Sequence, residues 1–253
     1  MRATLSAALL GAAVLATPSA APAAEATAEL MTRDWSFEGI FGAYDDAAAQ
    51  RGLQVYDQVC AACHGMEYVA FRTLTDLGYS EDEVEQIAAN YFVTDGPNEM
   101  GEMFERPAEL NDTWPFPYAN EQEAASIFGK APPDLSVMAK ARPGGADYLY
   151  SLLLGYDEEK GMDLRAGNYW NEYYPGHVIA MPPQLYPDLV QYADGTEATP
   201  EQMAADVSHF LMWAAEPKLE ERKRLGIGFM LFCTAMALVF YAMNKRLWAD
   251  VKK

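Results

Sequence analysis

The chain has 253 residues, three cysteines, three histidines and a formal net charge of −19. This length allows one or two domains, and so large an excess of acidic side chains excludes a nucleic-acid-binding protein. The charge is uneven: residues 25–217 hold 34 acidic and 9 basic side chains, a net charge of −25, whereas residues 218–253 hold 8 basic and 3 acidic ones. Such an acidic domain either gains solubility from its charge or attracts a basic partner.

The first 23 residues have the pattern of a secretory signal peptide. Arg2 precedes an apolar run over residues 3–16, and small residues with prolines follow it up to residue 23. The apolar run is too short to span a membrane, and the small residues fit a cleavage site close to Ala24. We therefore expect residues 1–23 to be removed and the mature domain to lie outside the cytoplasmic membrane.

Cys60, Cys63 and His64 form a Cys-x-x-Cys-His motif, which is the attachment pattern of a c-type haem. Two thiols at this spacing can form thioethers with one porphyrin, and the next histidine can supply an axial nitrogen to its iron. A redox dithiol would not require the histidine, and a zinc site usually needs four cysteine or histidine ligands. Apolar residues recur at helical spacing before the motif, so we predict that it ends a helix beginning near Asp45.

Most of the remaining regular structure is predicted to be helical and joined by long loops. An aromatic segment at residues 35–41 is predicted to be extended and packed on the domain, residues 66–72 are predicted to be helical, and residues 94–117 are predicted to be irregular because of their glycines and prolines. Helix-start and helix-stop signals place four further helices: one after a capping box at Ser80 and Glu83, one from Asn120 to Phe128, one from Ala146 to Leu154, and one from Thr199 to Pro217.

The C-terminal part of the chain contains a predicted membrane anchor. Residues 225–243 carry no charge and would form a helix of about 28 Å, which just spans a hydrocarbon core of about 30 Å. Tyr241 and Trp248 fall where interfacial aromatic residues belong. Basic residues flank both ends, which disfavours a buried core helix but leaves the orientation open. The signal peptide decides it: residues 24–217 would form a periplasmic domain, and the anchor at residues 218–253 would end in the cytoplasm.

The motif identifies one axial ligand of a haem iron, and the second ligand has to come from elsewhere in the chain. Met66 is too close to His64 to reach the opposite face. Met181 lies in an apolar loop that two prolines stiffen immediately after it, so Met181 is the favoured candidate and His177 the alternative. A thioether ligand would raise the haem potential and favour electron transfer.

These motifs together resemble the cytochrome c1 family, and the resemblance covers almost the whole mature chain. It implies a mostly α fold, a c-type cytochrome haem domain with long loops, and one C-terminal transmembrane helix. The matching blocks are, in order, residues 60–72, 132–136, 144–148, 174–176 and 210–217, the last of which leads into the basic collar of the anchor.

The resemblance also implies a site for one covalent haem c, formed by Cys60, Cys63, His64, Met181, Arg142, Pro132, Pro133 and Tyr148. In it the cysteines bind the haem, His64 is the proximal ligand and Met181 the sixth ligand. Arg142 would pair with a haem propionate, although from the residues alone it reads as a surface arginine. The prolines would pack on the haem edge, with Tyr148 nearby.

The chain departs from the family pattern in three places. Residues 126–129 read Ser-Ile-Phe-Gly where the family commonly has Ala-Asn-Asn-Gly, so any polar contact there is in doubt. Pro143 follows Arg142 where histidine is usual. The extra cysteine pair of some bacterial members is missing, because Cys233 is the one cysteine outside the motif.

The function implied is that of an electron-transfer subunit of ubiquinol–cytochrome c reductase, the cytochrome bc1 complex. The chain would take single electrons from a Rieske iron–sulfur protein and pass them to a basic or membrane-anchored cytochrome c. Cytochrome b would be its other partner, in a dimeric complex of the inner membrane. The chain would make and break no bonds itself. Two alternatives are an independent membrane-anchored cytochrome and a haem sensor with an open sixth site.

Overall fold

The structure is a computed structural model that describes residues 28–251, so the predicted signal peptide and its cleavage site lie outside the described residues. A mostly helical domain precedes one long C-terminal helix, which confirms the predicted fold class. The helices are α1 (Asp46–Val55), α2 (Glu81–Ala88), α3 (Glu121–Phe128), α4 (Met138–Ala141), α5 (Gly145–Leu154), α6 (Glu158–Gly161), α7 (Pro200–Ala215) and α8 (Leu219–Leu247).

The six short strands pair into three antiparallel two-stranded sheets. In the described residues, β1 (Met66–Ala70) pairs with β4 (Thr113–Trp114), β2 (Phe92–Asp95) with β3 (Phe104–Pro107), and β5 (Tyr169–Trp170) with β6 (Val178–Ile179). These sheets tie long loops to the helices, so the domain remains mostly α.

Helix α7 is the centre of the core, with α1, α4 and α5 packed around it. Five of its apolar residues, spaced for one face of a helix, are all buried, namely Met203, Val207, Phe210, Leu211 and Ala214. α1 comes very close to α7 at Gly52, where an added Cβ atom would lie 2.0 Å from the carbonyl oxygen of Asp206. Glycine is therefore required at that helix crossing.

The predicted helix starts are present. Ser80 and Glu83 form a reciprocal capping box on α2. Asn120 accepts a hydrogen bond from the amide of Glu123, and α3 runs to Phe128. Thr199 caps α7, with a proline as the first helical residue. Local side-chain chemistry sets these boundaries.

Three predicted segments differ from the structure. Residues 35–41, predicted to be extended and packed on the domain, form turns instead, and only Trp35 and Phe37 are buried whereas Ile40 and Phe41 are exposed. The prediction of a helix at residues 66–72 is wrong, because Met66 pairs with Trp114 in a sheet and a 3₁₀ helix begins only at Phe71. Residues 94–117, predicted to be irregular, contain most of a hairpin in which Arg106 binds Asp95 at 2.5 Å. A short apolar run does not distinguish strand from helix, and the partner that decides it lies far along the chain.

The C-terminal helix α8 has 29 residues and is long and apolar enough to cross a membrane. It begins at Leu219, six residues before the uncharged stretch. Its first turns therefore extend the anchor into the haem-motif domain, where Leu219 is buried.

Candidate functional site

The Cys-x-x-Cys-His motif follows directly from α1. A π-helical turn, Tyr56–Cys60, widens the end of that helix, a feature often found at functional sites. The amides of Cys63 and His64 both donate to the Cys60 carbonyl, at 3.0 and 2.9 Å. Both motif cysteines are free thiols with partly exposed side chains, as thioether formation requires.

His64 is fixed at both its ring and its backbone. Its Nδ1 atom lies 2.7 Å from the carbonyl oxygen of Pro133, and Tyr56 donates its hydroxyl to the His64 carbonyl at 2.9 Å. Burial lowers the pKa of His64 below its ordinary value, which favours the neutral imidazole. With Nδ1 donating to Pro133, Nε2 keeps its lone pair, which is the arrangement of a histidine that ligates a metal.

The segment that contains Pro132 and Pro133 is joined to the chain just after the motif. The Leu135 amide donates to the Gly65 carbonyl at 3.0 Å, and the Asp134 carboxylate accepts from the Glu67 amide at 2.7 Å. Pro132 is half-buried and Pro133 is exposed. The backbone of this segment is therefore held in place beside His64, which suits a rigid pair of prolines.

An aromatic group beside the motif was missed by the sequence reasoning. Tyr118 lies with its hydroxyl 3.4 Å from the Ala62 carbonyl and 3.8 Å from the Cys63 sulfur. Its ring packs against Phe116 and Phe128. Phe128 falls in the block that departs from the family pattern, so an aromatic contact occurs where a polar one was in doubt. No periodicity in residues 115–128 signals this cluster.

Met181 lies just after β6, in a loop that is held by side chains. Tyr156 donates its hydroxyl to the Met181 carbonyl at 3.0 Å. Upstream, the fully buried Asn171 donates to the Leu152 carbonyl at 2.7 Å and accepts from the amides of Tyr173 and Tyr174. These bonds give the loop one conformation despite its few regular elements.

The other two histidines are occupied elsewhere. The His177 ring stacks on Trp170 at 4.7 Å, with its Nδ1 atom 3.2 Å from the Asn171 carbonyl oxygen. His209 is buried, and its Nε2 atom accepts from the Asp45 amide at 3.2 Å. Burial lowers the pKa of His209.

Arg142 and Tyr148 are brought together at the start of α5. Arg142 is exposed in the preceding loop, whereas Tyr148 is buried on the helix. Burial raises the pKa of Tyr148, and the nearby Arg142 opposes that rise. Tyr148 in turn lies close enough to Tyr156 to help raise the pKa of Tyr156, which burial raises most.

The predicted site residues therefore form two groups. One contains the motif and Pro133, and the other contains Arg142, Tyr148 and Met181. Tyr148 belongs to the main apolar cluster of the domain, and Cys60 packs against that cluster. Within residues 28–251 there is no cluster of three or more acidic, histidine or cysteine side chains that could hold a metal ion. Two thiols, a neutral imidazole and a thioether form a donor set that fits a c-type haem.

Comparison with known proteins identifies the family. The model of the Cytochrome C1 family matches residues 35–251. Cytochrome c1 of Rhodospirillum rubrum is 46% identical over 94% of this chain and 94% of that protein. Cytochrome c1 2, heme protein, of Arabidopsis thaliana mitochondria is 45% identical over 97% of this chain and 82% of that protein. A Bradyrhizobium diazoefficiens protein named cytochrome b/c1 is 44% identical over 85% of this chain and 35% of that protein. The chain belongs to the cytochrome c1 family.

Proposed function

We propose that this chain is the haem-bearing electron-transfer subunit of a ubiquinol–cytochrome c reductase. It takes single electrons from a Rieske iron–sulfur protein and passes them to cytochrome c. The observation that carries the proposal is the motif itself, in which the ring of His64 is anchored on Pro133 with one nitrogen left for a metal. Membership of the cytochrome c1 family supports it.

The residues around the motif have different proposed roles. Cys60 and Cys63 form the two thioethers, and His64 is the proximal ligand. Pro132 and Pro133 pack on the haem edge, and the Pro133 carbonyl also orients the imidazole. A haem c held here supplies one-electron chemistry, while the protein sets its orientation and its exposure to solvent.

The opposite side sets the potential and neutralises charge. Met181 would hold the iron of a bound haem, and its backbone is held by Tyr156. Arg142, exposed before α5 and near Tyr148, would pair with a haem propionate. Methionine raises a haem potential relative to histidine, which suits the acceptance of electrons from an iron–sulfur centre.

Residues 24–217 form the periplasmic domain, and residues 218–253 anchor it in the inner membrane with the C-terminus in the cytoplasm. The apolar helix α8 supports a single-pass anchor, and the signal-peptide pattern supports the orientation. The name cytochrome b/c1 of one relative supports cytochrome b as a partner. The Rieske protein, an acceptor cytochrome c and a dimeric complex complete the proposed assembly.

Purification from the native membrane in mild detergent tests this function. Cytochrome b and a Rieske protein should co-purify with the chain, and ubiquinol should reduce its haem. Isolation of the chain alone, with its haem not reduced by ubiquinol, would instead indicate an independent membrane-anchored cytochrome. Ready carbon monoxide binding to the reduced form would indicate a haem sensor.

The acidic domain gives a second test of the same function. Reduction of a basic cytochrome c should become faster as ionic strength falls, because less salt screens the attraction between the two surfaces. Stopped-flow rates at several salt concentrations measure this. A rate independent of ionic strength would assign the acidic surface to solubility alone.

A further inference from the structure

The loop at residues 37–42 exposes two large apolar side chains next to the anchor. Ile40 is 68% exposed and Phe41 is 88% exposed, whereas Phe37 is buried. The loop is tightly turned: Gly39 has a φ of 70°, and a Cβ atom on Gly42 would lie 1.9 Å from the Glu38 carbonyl oxygen. Isolated exposed apolar residues are ordinary, so the position of this pair is what matters.

The loop is fastened to the first turns of α8. Lys223 donates from its Nζ atom to the carbonyls of Phe37 and Gly42, at 2.6 and 3.0 Å. Tyr44 donates its amide to the Glu220 carboxylate at 2.9 Å and its hydroxyl to the Glu216 carbonyl at 3.0 Å. A lysine and a tyrosine thus join both ends of the loop to the start of the anchor.

These contacts also show which way the loop runs along α8. Tyr44 is bound at Glu216 and Glu220, and Gly42 is bound at Lys223, so the chain runs along α8 towards its apolar stretch. That stretch begins at residue 225, about 3 Å of helix rise beyond Lys223. Phe41 and Ile40 are one and two residues before Gly42, and a residue spans at most about 3.5 Å, so the exposed tip of the loop stays close to the level where the anchor becomes apolar.

We propose that Ile40 and Phe41 insert into the outer leaflet of the membrane beside α8, as a second and shallow membrane contact. The proposal rests on the anchor of the proposed function. Large apolar side chains next to basic ones are the composition of membrane-interface segments, and Lys218, Arg222, Lys223 and Arg224 form a basic collar at this level. A single helix leaves a domain free to tilt and rotate, so the inserted loop would fix the orientation of the haem domain.

Spin labels on cysteine variants of the full-length protein in phosphatidylcholine–phosphatidylglycerol vesicles test the insertion. Phe41→Cys in a Cys233→Ser background reports the loop, and the native Cys233, exposed on α8, reports the anchor. Met100→Cys in the same background is the matched control, because Met100 is 79% exposed on the β2–β3 hairpin. The haem is kept reduced, because low-spin ferrous iron is diamagnetic and does not relax the label.

The readout is the ratio of label accessibility to oxygen, which concentrates in lipid, and to a water-soluble nickel chelate. The ratio at Phe41 should exceed that at Met100 several-fold and approach that at Cys233. Equal ratios at Phe41 and Met100, with a lipid signal at Cys233, would overturn the insertion and leave the anchor standing. A water signal at Cys233 would overturn the anchor and the insertion with it.

Two further measurements test the mechanism of the contact. Lys223→Met should make the label at Phe41 more mobile and lower its oxygen ratio, because the loop loses its fastening to α8. In the purified complex, an immobilised label at Phe41 that neither reagent reaches would assign the loop to a protein neighbour and overturn the lipid contact.

Discussion

The two segments that we propose to offer the axial ligands are held in similar ways but built differently. In the proximal segment, residues 56–66, Tyr56 donates to the carbonyl of His64, eight residues away. In the distal loop, residues 169–186, the Met181 carbonyl is bound by Tyr156, which is 25 residues away. A π-helical turn at the end of α1 builds the first segment, whereas side chains that reach across the fold hold the second.

Because of this difference, we expect the two segments to affect different properties of the haem, namely its covalent attachment and its redox potential. The proximal segment presents three chemical groups within five residues, so its geometry depends on one local turn. The distal loop supplies one ligand whose position depends on several separate bonds. We expect changes in the distal loop to alter the haem potential, and changes in the proximal segment to alter stability or haem attachment.

The strongest test of this comparison is Met181→Leu. We expect the haem potential to fall by a substantial fraction of the about 0.8 V range that axial ligands cover, because the thioether that raises it is lost. The haem should stay covalently attached. Redox titration and a haem stain after denaturing electrophoresis measure the two properties. An unchanged potential would move the ligand to His177 or elsewhere.

Asn171→Ala tests how the distal loop is held. The variant leaves the Leu152 carbonyl and the amides of Tyr173 and Tyr174 without their partner, which should lower the free energy of unfolding by about 2–4 kcal/mol. Urea unfolding measures this. Asn168→Ala, immediately before the loop, is the control and should change stability by less than about 0.5 kcal/mol. Equal losses of unfolding free energy in both variants would show that Asn171 does not hold the distal loop.

Tyr56→Phe and Tyr156→Phe form a matched pair across the two segments. Each variant removes one hydroxyl donor to a ligand carbonyl and should cost about 1 kcal/mol. The loss should be larger for Tyr56, which is fully buried, whereas Tyr156→Phe should shift the haem potential more. A larger potential shift in Tyr56→Phe would reverse the assignment of tuning to the distal loop.

The smallest expected effect concerns the helical core beneath both segments. Burial lowers the pKa of His209, so between that pKa and the unfolded value of about 6.5 the unfolded chain binds more protons. Stability should therefore be lost as the pH falls through about 6.5, by at most about 0.7 kcal/mol between pH 7 and pH 6. His209→Gln should flatten this slope in urea unfolding. An unchanged slope would assign the pH dependence to other groups.

Local chemistry made part of the structure predictable. The capping residues Ser80, Asn120 and Thr199 act within three residues of themselves, so their helices could be placed from the sequence. The strand at Met66 could not, because its partner Trp114 lies 48 residues away in the chain.

The same distinction between local sequence signals and long-range contacts applies to the residues of the candidate site. The motif at residues 60–64 can be recognised by spacing alone, whereas Arg142 and Tyr118 become noticeable only through contacts that the fold creates. Their residue types carry no periodic signal, and loops hold many such side chains.

The packing of α1 on α7 has a consequence for the order of events during synthesis. The bonds from Arg51 to Asp206 join residues 155 positions apart, so α1 and the motif after it are synthesised well before the helix that packs on α1. Contacts of such long range form slowly. We therefore expect the motif thiols to be available for haem attachment before α7 completes the core.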